Sequence, residues 1–185
     1  MIPRDEALAL LRESVKNENM VKHCLASEAV LRALARRFGE DEQVWGLAGL
    51  LHDIDIEVTG ADPAVHGTKA GEILAGRDIP AEVLDAIRMH NEKAHGLKRT
   101  ERFHRALAAG ETITGLITAT TLVYPDRKLA SVKSSSVVKR MKEKAFAASV
   151  DRDIIRECEQ IGVPLPEFAE LALTAMRGIS SDLGL

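Results

Sequence analysis

The sequence predicts an all-α fold, a single bundle of helices without strands. Three observations predict it. Alanine and leucine together make up 46 of the 185 residues, and both are strong helix formers. Residues that favour strands rarely alternate with polar ones, so the period-2 signature of half-buried strands is missing. Apolar positions instead recur at helical spacing between legible start and stop signals.

The elements follow in order. Pro3-Arg4-Asp5 opens a short first helix ending near Lys16. A second runs from about 18 to 38, with Met20, Val21, Cys24, Val30, Leu31, Leu34 and Phe38 close to helical spacing and Gly39 as its stop. Asp41 caps a third helix, to about Glu57, that is apolar on most sides and therefore predicted to lie at the centre of the bundle. Asp62-Pro63 pairs an N-cap with a first-turn proline and predicts a helix to about Ala75. Gly76 to Ile79 form a turn, and Pro80 starts a helix to about Asn91. Residues 92–99 are polar and loop-like. Thr100 caps a long helix to about Tyr124, ended by Pro125. A basic connection leads into a helix at 135–148, Asp151 starts another ended by Gly162, and Pro166 starts the last. No repeat, low-complexity tract or long linker interrupts residues 1–185, which are read as one domain.

Composition narrows the function classes. A formal charge of −3, from 25 basic and 28 acidic residues, supplies no global field for nucleic acid or membrane surfaces. Aromatics at 3% are too few for base-stacking platforms, so no large nucleic acid is expected as a partner. Cys24 and Cys158 stand alone, without thiolate-zinc spacing, and no apolar run is long enough to cross a bilayer. The opening MIPRDEALALLRES places acids where a secretory signal has basic and then apolar residues. A reduced, cytoplasmic protein is expected, with its oligomeric state open.

Four of six histidines pair with each other and with carboxylates. His52 and Asp53 are adjacent in GLLHDID, near the end of the most apolar helix. A buried carboxylate there is costly unless it is paired or bound to a cation. Asp55 and Glu57 raise the acid density further. His23 precedes Gly39 by about 15 residues and His52 follows Asp41 by about 11, heights of about 22 and 17 Å from one turn at 1.5 Å per residue. In an antiparallel hairpin His23 thus lies nearly level with His52 and Asp53, a plausible first-row metal site. His66 and His90 lie at similar heights, about 15 Å, from the turn at 76–79, which predicts a second imidazole pair. Asp53 has two oxygens to share between two ions. Glu111 is a lone acid in LAAGETITGLITATTLV, flanked by Gly110 and Gly115, and completes a candidate set of His23, His52, Asp53, His66, His90 and Glu111.

The strings MVKHCLASEAVLRALA, GLLHDIDIE and ETITGLITATTLVYPDRK resemble the HD-domain superfamily of metal-dependent phosphohydrolases, in particular a small HDIG-type branch of predicted hydrolases. The resemblance spans roughly residues 15–165 and implies an HD-type helical bundle. It places His23 at the lone first histidine, His52 and Asp53 at the naming doublet, and His66 and His90 at the extra positions of two-metal members. Glu111 falls where the family usually has aspartate, and HDID stands in place of HDIG. The motif that marks the cyclic-dinucleotide branch is absent.

The resemblance implies that His52 and Asp53 are catalytic and that a phosphate ester of a small nucleotide or a phosphomonoester is hydrolysed by metal-activated water. Two divalent ions are expected, drawn from Mn, Fe, Co, Ni or Zn. Lys22, next to His23, and Lys128 and Lys133, in the basic stretch 127–144, are the candidate phosphate-binding cations. Two other functions use the same residues: a di-iron oxygenase on the same fold, and a non-catalytic metal-binding sensor domain.

Overall fold

The structure, a computed structural model, describes residues 1–185 and contains helices and turns without strands. The helices are α1 (Arg4–Ser14), α2 (Glu18–Phe38), α3 (Glu42–Leu51), α4 (Ala70–Ile73), α5 (Ala81–His90), α6 (Arg102–Leu122), α7 (Ser134–Arg140), α8 (Arg152–Gln160), α9 (Leu165–Arg177) and α10 (Ser180–Leu183). One contiguous apolar core receives side chains from all ten. No helix is long and apolar enough to cross a membrane.

The α2–α3 hairpin is the frame for everything that follows. Asn17 caps α2 by accepting from the Asn19 N–H at 2.9 Å. At the other end Gly39 takes φ 72° and returns its N–H to the carbonyls of Ala35 and Arg36, a left-handed stop that glycine adopts without strain. Asp41 then caps α3, accepting from Gln43 N at 2.7 Å and Val44 N at 3.2 Å. The two backbones touch farther along. A β-carbon on Gly49 would lie 2.8 Å from the Ser27 carbonyl oxygen, closer than packed atoms tolerate. Helix α6 closes the other side of α2. There Gly110 seats Leu31, whose Cδ2 would be 2.7 Å from any β-carbon.

Three helices are shorter than their sequence pattern predicts, and buried polar groups explain each. The helix expected to reach Glu57 ends at Leu51. His52 Nδ1 donates to the Gly49 carbonyl, and the chain continues in tight turns such as Ile54 N to Leu51 O at 3.1 Å and Ile56 N to Asp53 O at 3.0 Å. The helix expected over 63–75 is reduced to α4. Buried Asp55 accepts from Gly67 N at 2.8 Å and Lys69 N at 2.9 Å through one oxygen, and Gly67 adopts φ 89°. The helix expected over 135–148 stops at Arg140. The Arg152 guanidinium collects the carbonyls of Phe146, Ala147 and Val150, which holds this segment in turns. The last expected helix is divided into α9 and α10 after Gly178.

Candidate metal centre

Helix α2 presents His23, and His52 and Asp53 directly follow α3. The Nε2 atoms of His23 and His52 lie 3.1 Å apart, so the hairpin register brings the two levels together. His66 sits in the turn before α4 and His90 is the last residue of α5, with their Nε2 atoms 3.0 Å apart. Asp53 stands between the pairs. Its Oδ2 is 3.5 Å from His23 Nε2 and 3.4 Å from His52 Nε2. Its Oδ1 is 2.8 Å from His66 Nε2 and 3.7 Å from His90 Nε2. One carboxylate thus serves two histidine pairs, one oxygen to each.

The outward-facing nitrogens fix the tautomers. His52 Nδ1 donates to the Gly49 carbonyl at 2.9 Å, and His90 Nδ1 donates to the Ile87 carbonyl. His23 Nδ1 lies 2.9 Å from Thr114 Oγ1. That hydroxyl gives its own proton to the Glu111 carbonyl at 2.7 Å, which leaves it an acceptor for His23. His66 Nδ1 faces Asp55 Oδ1 at 2.8 Å, a close charge contact whose angle is poor for a hydrogen bond. With every Nδ1 protonated, a neutral ring turns its Nε2 lone pair inward. Four lone pairs and a carboxylate then converge in a buried space, which is repulsive unless a cation lies among them.

The titration behaviour of the metal-free cluster expresses the same demand. Burial pushes His23 down to about 4, helped by the neighbouring His52 ring. Burial likewise pushes His90 down to about 3. Asp53 is held far below the usual carboxylate range: burial opposes ionisation, but the rings of His52, His66, His23 and His90 outweigh it. His66 is driven up to about 9, because contacts with Asp53 and Asp55 overcome its own burial. One proton on His66 thus takes the place of a cation.

The donor set fits divalent ions of the first transition row. Nitrogen and carboxylate ligands suit that class. Two donors on one ion, with bonds of about 2.0–2.2 Å, stand roughly 3.0–3.5 Å apart. That matches the 3.1 Å and 3.0 Å separations within the two histidine pairs. In two three-residue groups, His23–His52–Asp53 and Asp53–His66–His90, the donor atoms all lie within 4.8 Å of one another. Glu111, on α6, stands at the margin of the first. Its Oε2 is 3.6 Å from His23 Nε2, and burial, opposed by a hydrogen bond from Thr112, raises its acid to about 8.

The cluster forms one wall of an open cavity of about 380 Å³ that also exposes Asn91, Lys93, Thr112, Val150 and Asp151. Of the lysines singled out in the sequence, Lys22 lines an adjoining cavity that shares His23. Lys128 and Lys133 do not reach the cluster. Arg177 of α9 donates to the carbonyls of Leu129 at 3.1 Å and Val132 at 2.5 Å, which ties this connection to α9. Lys128 there faces Ser180 and Ser181, and Lys133 precedes the first turn of α7.

The remaining histidines are structural. His95 bonds the Arg88 carbonyl and accepts from Leu97 N. His104 is buried against Asp85, 2.9 Å away. Sequence reasoning missed the residues that orient the ligands. Asp55 was visible as an unexplained acid, and Thr114 lies three residues beyond Glu111. Asn91, which donates to the carbonyls of Pro63 and His66 at 2.8 Å each, and Lys93 carried no signal in their polar loop.

No curated protein and no solved structure matches this chain. The family model of the HD domain matches residues 20–119, from the start of α2 almost to the end of α6. This span includes all six residues of the cluster and its margin, as well as Asp55 and Thr114. The chain therefore belongs to the HD domain family, most of whose members are metal-dependent phosphohydrolases.

Proposed function

We propose that this protein is a metal-dependent phosphohydrolase that cleaves a phosphate ester of a small nucleotide or a phosphomonoester. The observation that carries the reading is the convergence of four imidazole Nε2 atoms around the two oxygens of Asp53, at the wall of a solvent-open cavity. His23, His52 and Asp53 would hold one divalent ion, and Asp53, His66 and His90 a second, with Glu111 beside the first. Bound there, such ions supply positive charge for phosphoryl oxygens and water acidic enough to ionise near neutral pH.

The chain's own residues supply position. The Lys93 ammonium is the cation on the cavity wall and suits a non-bridging phosphate oxygen. Thr112 and Asn91 offer polar groups beside it. Asp151 on the same wall opposes additional negative charge, which favours a single phosphate over a polyphosphate chain. Lys128 and Lys133 have no part in this reading, because neither lines the cavity.

The test is elemental analysis of the purified protein, then reloading of the stripped protein with Mn, Fe, Co, Ni or Zn. Phosphate release is next measured across nucleoside monophosphates, sugar phosphates and simple aryl phosphates. Metal-dependent release that is lost in Asp53→Ala supports the proposal. Full metal loading without release from any ester refutes it, as does oxygen uptake by the iron-loaded protein without phosphate release.

A further inference from the structure

A second cavity of about 560 Å³ lies beside the first, between α2, α6 and the C-terminal α10. His23 and Gly115 line both. At Gly115 the long helix has no side chain, and a β-carbon there would lie 3.4 Å from Val150 Cγ2, a residue of the first cavity. The missing side chain lowers the ridge between the chambers, with Val150 packed against its first-cavity side. Beyond it, Ala26, Ala119, Leu122 and Leu183 give an apolar wall, and Leu122 is half exposed. No Phe, Tyr or Trp lines this chamber, and its one ring, His23, belongs to the metal cluster, so it offers little stacking face to a nucleobase. The Lys22 ammonium marks its outer end, 3.2 Å from where a β-carbon on Gly184 would lie, and forms no ion pair.

The first cavity also opens the other way, toward a groove of about 490 Å³. Of its three cations, Lys98 pairs with Glu92 at 2.7 Å and Arg99 with Glu157 at 2.5 Å, and Lys93 is the one already assigned to the phosphate. That groove has little charge to give a ligand. The chamber beyond Gly115 has an apolar wall and a free ammonium.

Resting on the phosphohydrolase reading, we propose that this chamber receives the leaving group of the substrate. The substrate class is a phosphomonoester of an apolar alcohol or phenol, ring-sized or larger, with an anionic or hydrogen-bond-accepting group at its far end for Lys22. The volume lies within the range that encloses small organic ligands. Burying such a group against carbon supplies binding energy remote from the phosphate.

Two measurements test this. The first compares metal-loaded protein on methyl, phenyl, 1-naphthyl and 4-carboxyphenyl phosphate. kcat/KM is expected to rise by about tenfold or more from methyl to naphthyl phosphate, chiefly through KM. Ala119→Trp, which fills the chamber, and Gly115→Leu, which raises the ridge, should each abolish that preference. Lys22→Met should remove the preference for the carboxyphenyl over the phenyl ester. The second follows methyl NMR signals while 1-naphthylmethylphosphonate is titrated into the metal-loaded protein. Shifts are expected at Ala26, Ala119, Leu122 and Leu183. Shifts confined to Val150 and Ile154, no binding, or equal turnover of methyl and naphthyl esters overturns the assignment. Release from small esters with that result leaves the phosphohydrolase reading standing. Phosphonate binding in the chamber without turnover of any ester keeps the pocket and refutes the activity.

Discussion

Asp55 is the residue whose replacement separates stability from metal binding. Its Oδ2 accepts the N–H groups of Gly67 and Lys69 at 2.8 and 2.9 Å, and its Oδ1 faces His66 Nδ1 at 2.8 Å. Burial works against its ionisation, but His66 and the two backbone donors hold it below the usual carboxylate range. A hydrogen bond to a charged group contributes about 1.5–3 kcal/mol. Asp55→Ala leaves the buried Gly67 N–H and the partly buried Lys69 N–H without their acceptor and should cost about 2–4 kcal/mol. Asp55→Asn acts differently. One amide oxygen can still accept both backbone donors, so the loss of stability should be about 1 kcal/mol. The amide NH₂ then meets the Nδ1 proton of His66, donor against donor. His66 must either lose that contact or move its proton to Nε2, where it opposes metal binding. Affinity for the ion held by Asp53, His66 and His90 should fall about 10–100-fold. Denaturant unfolding of the stripped protein and calorimetric metal titration read the two effects. Wild-type metal affinity in Asp55→Asn would refute the reasoning, because it would show that this carboxylate does not set the His66 tautomer.

Glu111 and His66 make the metal-free protein sensitive to alkali. Both hold their protons more tightly when folded, near 8 and 9 against about 4.3 and 6.5 in an unfolded chain. Their effect on stability is complete below the unfolded value and drains as pH rises through the folded one. Melting temperature should fall from pH 6.5 toward 9, and Glu111→Gln should remove the part below about pH 8. His23 and His90, held near 4 and 3, act in the opposite sense and only below about pH 6.5. Gly49→Ala forces a β-carbon to within 2.8 Å of the Ser27 backbone. It should cost about 1–3 kcal/mol and weaken metal binding by parting His23 from His52, whereas Gly39→Asn, at a left-handed position with open space, should do neither. His90→Ala removes one nitrogen from the second group and should lower the metal count by one ion per chain in elemental analysis, with the melting curve still cooperative.

The helices and the ligand levels were legible because both depend on spacing along one chain. Rise per residue and two turns sufficed to place His23 level with His52. The same arithmetic joined His66 to His90 for a partly wrong reason, since His66 is carried by a turn and not by a continuous helix. The turn nevertheless brings His66 level with His90. Asn91 clamps the Pro63 and His66 carbonyls against the end of α5, and Asp55 grips Gly67 and Lys69. Such clamps join residues 12 to 28 positions apart, beyond the reach of local periodicity. Lys128 and Lys133, which do not line the cavity at the cluster, were hard to place for a related reason. A run of positive charge looks the same whether it faces a substrate or a solvated flank, and here a single arginine on α9 decides which.

The two halves of the centre are built from different materials, and this follows from which partner each imidazole has behind it. On the hairpin side, His23 and His52 are backed by a hydroxyl and a backbone carbonyl, both neutral acceptors. Their position is set by helix backbones in contact at Gly49. On the loop side, His90 is also backed by a carbonyl, but His66 is backed by a carboxylate. A charged acceptor behind the ring makes its inner nitrogen more basic. The loop itself is retained by that same carboxylate. In the proposed centre the imidazole on the least regular segment is therefore the most strongly donating one, and one side chain both folds the loop and tunes it. A neutral group at position 55 could fold the loop, but it would leave His66 no different from the other three. Placing an acid in GLLHDIDIE, two residues beyond Asp53 on a chain that leaves the helix after Leu51, gives one short segment an imidazole of the cluster, the carboxylate between its two pairs and the anchor of the opposing imidazole.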